Sequence, residues 1–118
     1  MTVSADLADE LTALVGRPAV ETRPEVLHRL SRDFSWLSPI LSRDLRSVPA
    51  SVAVSPARTD QVADVLGFAY RRRLAVTPRG AGTSNYGQSV PMAPGIVLDT
   101  TRLTGISDID ADSVVVEA

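Results

Sequence analysis

Residues 79–88 read RGAGTSNYGQ, with glycine at Gly80, Gly82 and Gly87 among hydroxyl and amide side chains. Such a composition suits one kind of chemistry. Backbone N–H groups can converge on an anion only where no Cβ stands in the way, and phosphate groups are bound well by that convergence. Thr83 and Ser84 add hydroxyl donors, and Asn85 and Gln88 add amide donors. The same residue types also make ordinary surface turns. Composition alone leaves both readings open.

The common phosphate designs can be tested one by one. A Walker A loop needs Gly-Lys-Ser/Thr, and all 12 basic residues here are Arg. A kinase glycine loop needs a downstream lysine, which is excluded on the same ground. A Rossmann fingerprint needs a sixth-position glycine that opens a helix. Here that position is Asn85, and Gly87, Pro91, Pro94 and Gly95 follow, so no helix is expected to start there. What survives is a bare loop between two strands that binds phosphate with backbone amides.

Other chemistries are poorly supplied. There is no Cys, which removes disulfides, thiolate metal sites and cysteine nucleophiles. The single His28 cannot furnish a histidine zinc site, and we expect it on a partly exposed helix face with no catalytic task. Asp108, Asp110 and Asp112 begin like a calcium loop, but Ser113 stands where such a loop has glycine, so a solvated β-turn is expected. Arg71, Arg72 and Arg73 read as a solvated helix end. Asp33 and Asp44 read as isolated carboxylates, and Phe34 and Trp36 as anchors of a long loop on the core. We therefore name no catalytic residue and no metal site. The net charge of −2 offers no basic surface for nucleic acid. No run approaches the roughly 20 apolar residues of a membrane span. The acidic start MTVSADLADE lacks a signal-peptide pattern, so a cytoplasmic location is expected.

The loop must be held by elements, and these are legible in outline. Leu7, Leu11, Leu14 and Val15 mark one helical face over residues 5–15, stopped by Gly16 and Pro18. Thr22-Arg23-Pro24-Glu25 reads as a capping box that opens a short helix carrying Val26, Leu27 and Leu30. Residues 33–51, rich in proline and serine, read as an irregular connection. From Ser51 the pattern becomes strand (SVAVSP), helix (Val62, Val65, Leu66 and Ala69, capped by Thr59 or Asp60) and strand (LAVTP). The glycine loop follows, then a strand GIVLD and two strands joined by a polar turn at 110–112. The expected fold is α+β, with a mixed sheet of about four strands, helices on one side and a helical N-terminal extension over residues 1–50. The sequence stops within the apolar strand VVVEA, which reads as truncation at the C-terminus.

These motifs carry a resemblance. PRGAGTSNYGQ, followed by GIVLDTTRLTGI and DSVVVEA, resembles the first half of the FAD-binding domain of the vanillyl-alcohol-oxidase/PCMH superfamily, which includes FAD-linked oxidases of glycolate oxidase and D-lactate dehydrogenase type. SPARTDQVADVLGFAYRRRLAVTPRG is similar to the β-α-β entry of that domain, and the segment from Leu14 to Pro39 loosely to what precedes it. The resemblance implies that residues 51–118 are the first part of a PCMH-type domain. It implies non-covalent FAD whose pyrophosphate lies on Arg79, Gly80, Ala81, Gly82, Thr83 and Ser84, with Pro78 setting the entry and Gly87 and Gln88 just beyond. Ala81 stands where the family pattern often has glycine. The loop has no His of the kind that bonds covalently to flavin in some relatives. The implied activity is oxidation of a small alcohol or 2-hydroxy acid by the larger enzyme, with a small-molecule substrate as partner and its catalytic residues elsewhere. Two further readings remain at this stage: a non-redox nucleotide- or phosphate-binding module, and a fragment inactive by itself.

Overall fold

The computed structural model describes residues 3–46 and 50–116. Along the chain these form helix α1 (Val3–Val15), a 3-10 turn (Arg17–Ala19), strand β1 (Val20–Glu21), and helices α2 (Pro24–Leu30) and α3 (Pro39–Arg46). Strand β2 (Val52–Val54), helix α4 (Thr59–Arg72) and strands β3 (Ala75–Arg79), β4 (Gly95–Asp99), β5 (Ile106–Ile109) and β6 (Val114–Val116) follow.

Four strands make one sheet in the order β1-β2-β4-β3. β4 pairs in parallel with both β2 and β3, while β1 pairs antiparallel to β2. β2 and the first four residues of β4 are buried throughout, as parallel strands covered on both faces must be. Alternation divides their side chains. Val52, Val54, Ile96 and Leu98 join α1 and α4 in the main core through Leu7, Leu11, Val65 and Phe68. Ala53 and Val97 face the other way, onto Leu27 of α2 and Ala50. The sheet is thus covered on both faces, where the sequence pattern placed helices on one. Its fourth strand is β1, a two-residue segment too short to leave a pattern. The two strands at the end of the chain pair only with each other, as a separate antiparallel hairpin.

Several local expectations are corrected. The connection between 33 and 51 contains α3: Ser38 caps it, its Oγ accepting the Leu41 N–H at 3.2 Å, and Pro39 occupies the first turn, where its missing N–H costs nothing. Thr22 caps nothing. The N-cap of α2 is Arg23, and the Glu21 carboxylate instead takes the N–H groups of Thr22 (2.9 Å) and Arg23 (2.8 Å). Likewise Arg58 is the N-cap of α4, and the Gln61 side chain accepts the Ala57 N–H at 2.9 Å, so neither Thr59 nor Asp60 caps that helix. Phe34 and Trp36 are 73% and 82% exposed, so they anchor nothing to the core. The polar turn at Asp110 is as expected: its Oδ1 accepts the N–H groups of Asp112 (2.7 Å) and Ser113 (2.8 Å). Pro49 and the last two residues of VVVEA lie outside the described residues.

Candidate functional site

The loop begins where the sheet ends. β3 and β4 stay in register to the pair Arg79↔Asp99. The Arg79 carbonyl then accepts the N–H of Thr100 (2.8 Å) and its hydroxyl (3.2 Å), which fixes the departure point. Pro78 lies in β3, an edge strand, where a residue lacking an N–H is tolerated. At the far end the Val90 N–H closes a turn onto the Gly87 carbonyl at 3.1 Å, with φ +79° at Gly87.

Between these ends, the expected contributors divide into two groups. Arg79, Ser84 and the exposed Gln88 use side-chain atoms in hydrogen bonds to the protein itself. The Arg79 guanidinium donates to the carbonyls of Leu30 (3.2 Å) and Arg32. Ser84 Oγ donates to Asp33 Oδ2 at 2.5 Å and lies 3.0 Å from Ser89 Oγ. Gln88 Oε1 accepts the Tyr86 N–H at 3.1 Å. The second group is the backbone of Gly80, Ala81, Gly82 and Thr83. Among the described residues, none of these four N–H groups has a hydrogen-bond partner. Gly80, Ala81 and Thr83 are exposed. A Cβ at Gly80 would meet no atom within 4 Å, so the fold itself does not demand glycine there. Gly82 is different. It is buried at φ +74°, and a Cβ there would fall on the Arg79 guanidinium. The result is a short stretch of unpaired donors held between two fixed flanks, which is what an anion-binding backbone requires.

Sequence reasoning missed Asp33. Its carboxylate accepts the Ser35 N–H at 2.9 Å, the Ser35 hydroxyl and the Ser84 hydroxyl. Burial pushes this carboxyl up, but these hydrogen bonds outweigh burial and hold it below the usual aspartate value. The only signal for it in the sequence was a carboxylate followed two residues later by serine. Among the described residues no group of His, Asp and Glu could hold a metal ion. His28 is exposed on α2, with its Nε2 3.0 Å from Arg32 Nη2. No helix of the described residues is long and apolar enough to cross a membrane.

Comparison with known proteins identifies the family and the fold. A family described as "FAD binding domain" matches residues 50–118. The D-lactate dehydrogenase of Archaeoglobus fulgidus is 37% identical over 68 residues, covering 58% of this chain and 15% of that protein. The mitochondrial D-2-hydroxyglutarate dehydrogenase of Rattus norvegicus is 33% identical over 101 residues, covering 86% of this chain and 17% of that one. The chain therefore spans about a sixth of the length of these relatives. Among solved structures, an alkyldihydroxyacetonephosphate synthase superposes over 90% of this chain and 22% of its own, with a TM-score of 0.74 at 16% identity, a likeness of fold.

Proposed function

The chain belongs to the FAD binding domain family, and from that premise we propose that residues 78–84, with Gly87 and Gln88, hold the pyrophosphate of FAD in a flavin-dependent oxidoreductase. The observation that carries this reading is the run of unpaired N–H groups from Gly80 to Thr83 beside open space at Gly80. The residues fit a diphosphate well: backbone donors and the Thr83 hydroxyl face no competing carboxylate of their own loop. The Ser84 hydroxyl and the Arg79 guanidinium serve by shaping the loop, since both are already engaged within the protein. When bound, FAD supplies a two-electron acceptor for hydride from the substrate. Attachment at this loop is non-covalent, because the chain's one His sits on α2. A small 2-hydroxy acid or alcohol is the substrate class in keeping with the relatives named D-lactate and D-2-hydroxyglutarate dehydrogenase. The net charge of −2 supports a small-molecule partner rather than nucleic acid.

Gly80→Asp tests the assignment cleanly, because the new side chain meets no protein atom within 4 Å at its Cβ. Its carboxylate would stand a few ångströms from a bound diphosphate, a like-charge contact costing on the order of a hundredfold in affinity. Titration of both chains with FAD, followed by flavin fluorescence, should give saturable binding for the parent chain and its loss in the variant at unchanged melting temperature. Equal affinity in the two chains would remove the loop from the cofactor site.

A further inference from the structure

The glycine loop is held by more than its own turns; a segment some fifty positions earlier grips it as well. Residues 30–35 run along the loop and grip it at three points. The carbonyls of Leu30 and Arg32 receive the Arg79 guanidinium at the loop's start. The Phe34 N–H donates to the Ser84 carbonyl at 3.0 Å. Asp33 takes the Ser84 hydroxyl at 2.5 Å, and Ser84 Oγ lies 3.0 Å from Ser89 Oγ, which ties the middle of the loop to its end. Gly82 lies against the same guanidinium. All of these partners in the segment precede residue 50, where the family match begins.

We propose that residues 30–35 are a clasp that presets the loop for its ligand, with Asp33 as the positioning residue, so that FAD affinity depends on a carboxylate that does not touch FAD. The inference rests on the loop being the pyrophosphate site. Its physical basis is preorganisation: a loop whose donors already converge loses less freedom on binding than one that must be ordered. Each carboxylate oxygen of Asp33 receives at least one donor, Oδ1 from Ser35 and Oδ2 from Ser84. A neutral amide of the same shape can keep the Ser35 contact and donate its NH2 to the Ser84 hydroxyl oxygen, but it turns charge-assisted hydrogen bonds into weaker neutral ones.

Asp33→Asn gives a test whose sign separates positioning from charge. Removing a negative charge near a diphosphate site should by Coulomb's law tighten anion binding. Removing the clasp should weaken it. Asp64→Asn, on the exposed face of α4, removes the same charge elsewhere and serves as control. We expect Asp33→Asn to bind FAD about tenfold more weakly than the parent chain, the scale of one lost charge-assisted hydrogen bond, while Asp64→Asn binds as the parent does. Amide hydrogen exchange without FAD reads the clasp directly. Phe34 and Ser35 should lose protection in Asp33→Asn, while Val54 and Val97 in the central strands keep theirs. FAD affinity equal to or tighter than that of the parent chain overturns the positioning role, and unchanged protection at Phe34 and Ser35 overturns the clasp. If Gly80→Asp binds FAD normally, the pyrophosphate reading itself falls and the positioning role with it, a failure distinct from unchanged exchange.

Discussion

At Gly82 two residues compete for one space. The backbone is at φ +74°, a conformation that side chains seldom adopt, and the position a Cβ would take is filled by the Arg79 guanidinium. Arg79 cannot swing aside freely, because it would give up the carbonyls of Leu30 and Arg32. Gly82→Ala should therefore destabilise the chain by about 1–3 kcal/mol in urea denaturation. A loss below about half a kcal/mol, the range of an ordinary surface change, would mean that the guanidinium relocates without cost. Residues of this kind were legible in the sequence, because glycine and hydroxyl side chains cluster within one decapeptide. Asp33 was not. Its partner Ser84 is 51 positions away, and nothing in either stretch announces the other. For the same reason the Ser84 hydroxyl reads in the sequence as a free donor, while in the structure it donates to Asp33.

Elements succeed or fail as readings according to how much pattern they carry. α1, α2 and α4 repeat apolar residues over enough turns to show a face, and β4 shows a continuous apolar run. α3 was lost because Pro39 and Ser38 look like loop residues, although here they are its first turn and its cap. The start of α2 was misassigned to Thr22 because the carboxylate that does the work, Glu21, comes one residue earlier. That carboxylate ties β1 to α2, and it is held near 2 instead of 4.5, chiefly by its hydrogen bonds with Arg23. A depressed folded value gives stability that is present above the unfolded value and lost as pH falls towards the folded one. Thermal melts should thus be flat in this contribution from pH 7 to about 5 and decline between about 4.5 and 2, with Asp33 adding in the same direction. Glu21→Gln should make the acid side of that profile shallower; an unchanged slope would show that the pair adds nothing to folding. A second element-scale constraint sits at the start of β4. A Cβ at Gly95 would run into the Ala75 carbonyl of the paired strand. Gly95→Val should cost about 2–4 kcal/mol and loosen the strand pair from which the loop springs. Exchange at Thr77 and Val97 would report the loosening.

The whole molecule has a radius of gyration of 15.3 Å, against about 13.5 Å for a compact chain of this length. Its extents of 50 × 35 × 23 Å are correspondingly uneven. The hairpin of β5 and β6 stands apart from the central sheet: every residue in both strands is exposed and they pair only with each other. Ile106, Ile109, Val114, Val115 and Val116 bury little apolar surface there. A lone two-stranded hairpin is marginal in water, so it should open long before the central sheet does. The sequence showed the two strands and their turn, but strand pattern does not say which sheet a strand joins, and the mixed sheet is completed by β1 instead. The core and the hairpin should then behave as separate units of stability. In native-state hydrogen exchange, amides of β5 and β6 should exchange orders of magnitude faster than those of β2 and β4. Ending the chain after Thr104 retains Leu103, which is buried, and should leave the melting temperature within about 3 °C of the parent chain. A large fall in melting temperature would mean that the hairpin steadies the core by contacts its exposure does not reveal. An unchanged melt would place the stability of the loop's scaffold, and of the clasp that grips it, entirely in residues that precede the hairpin.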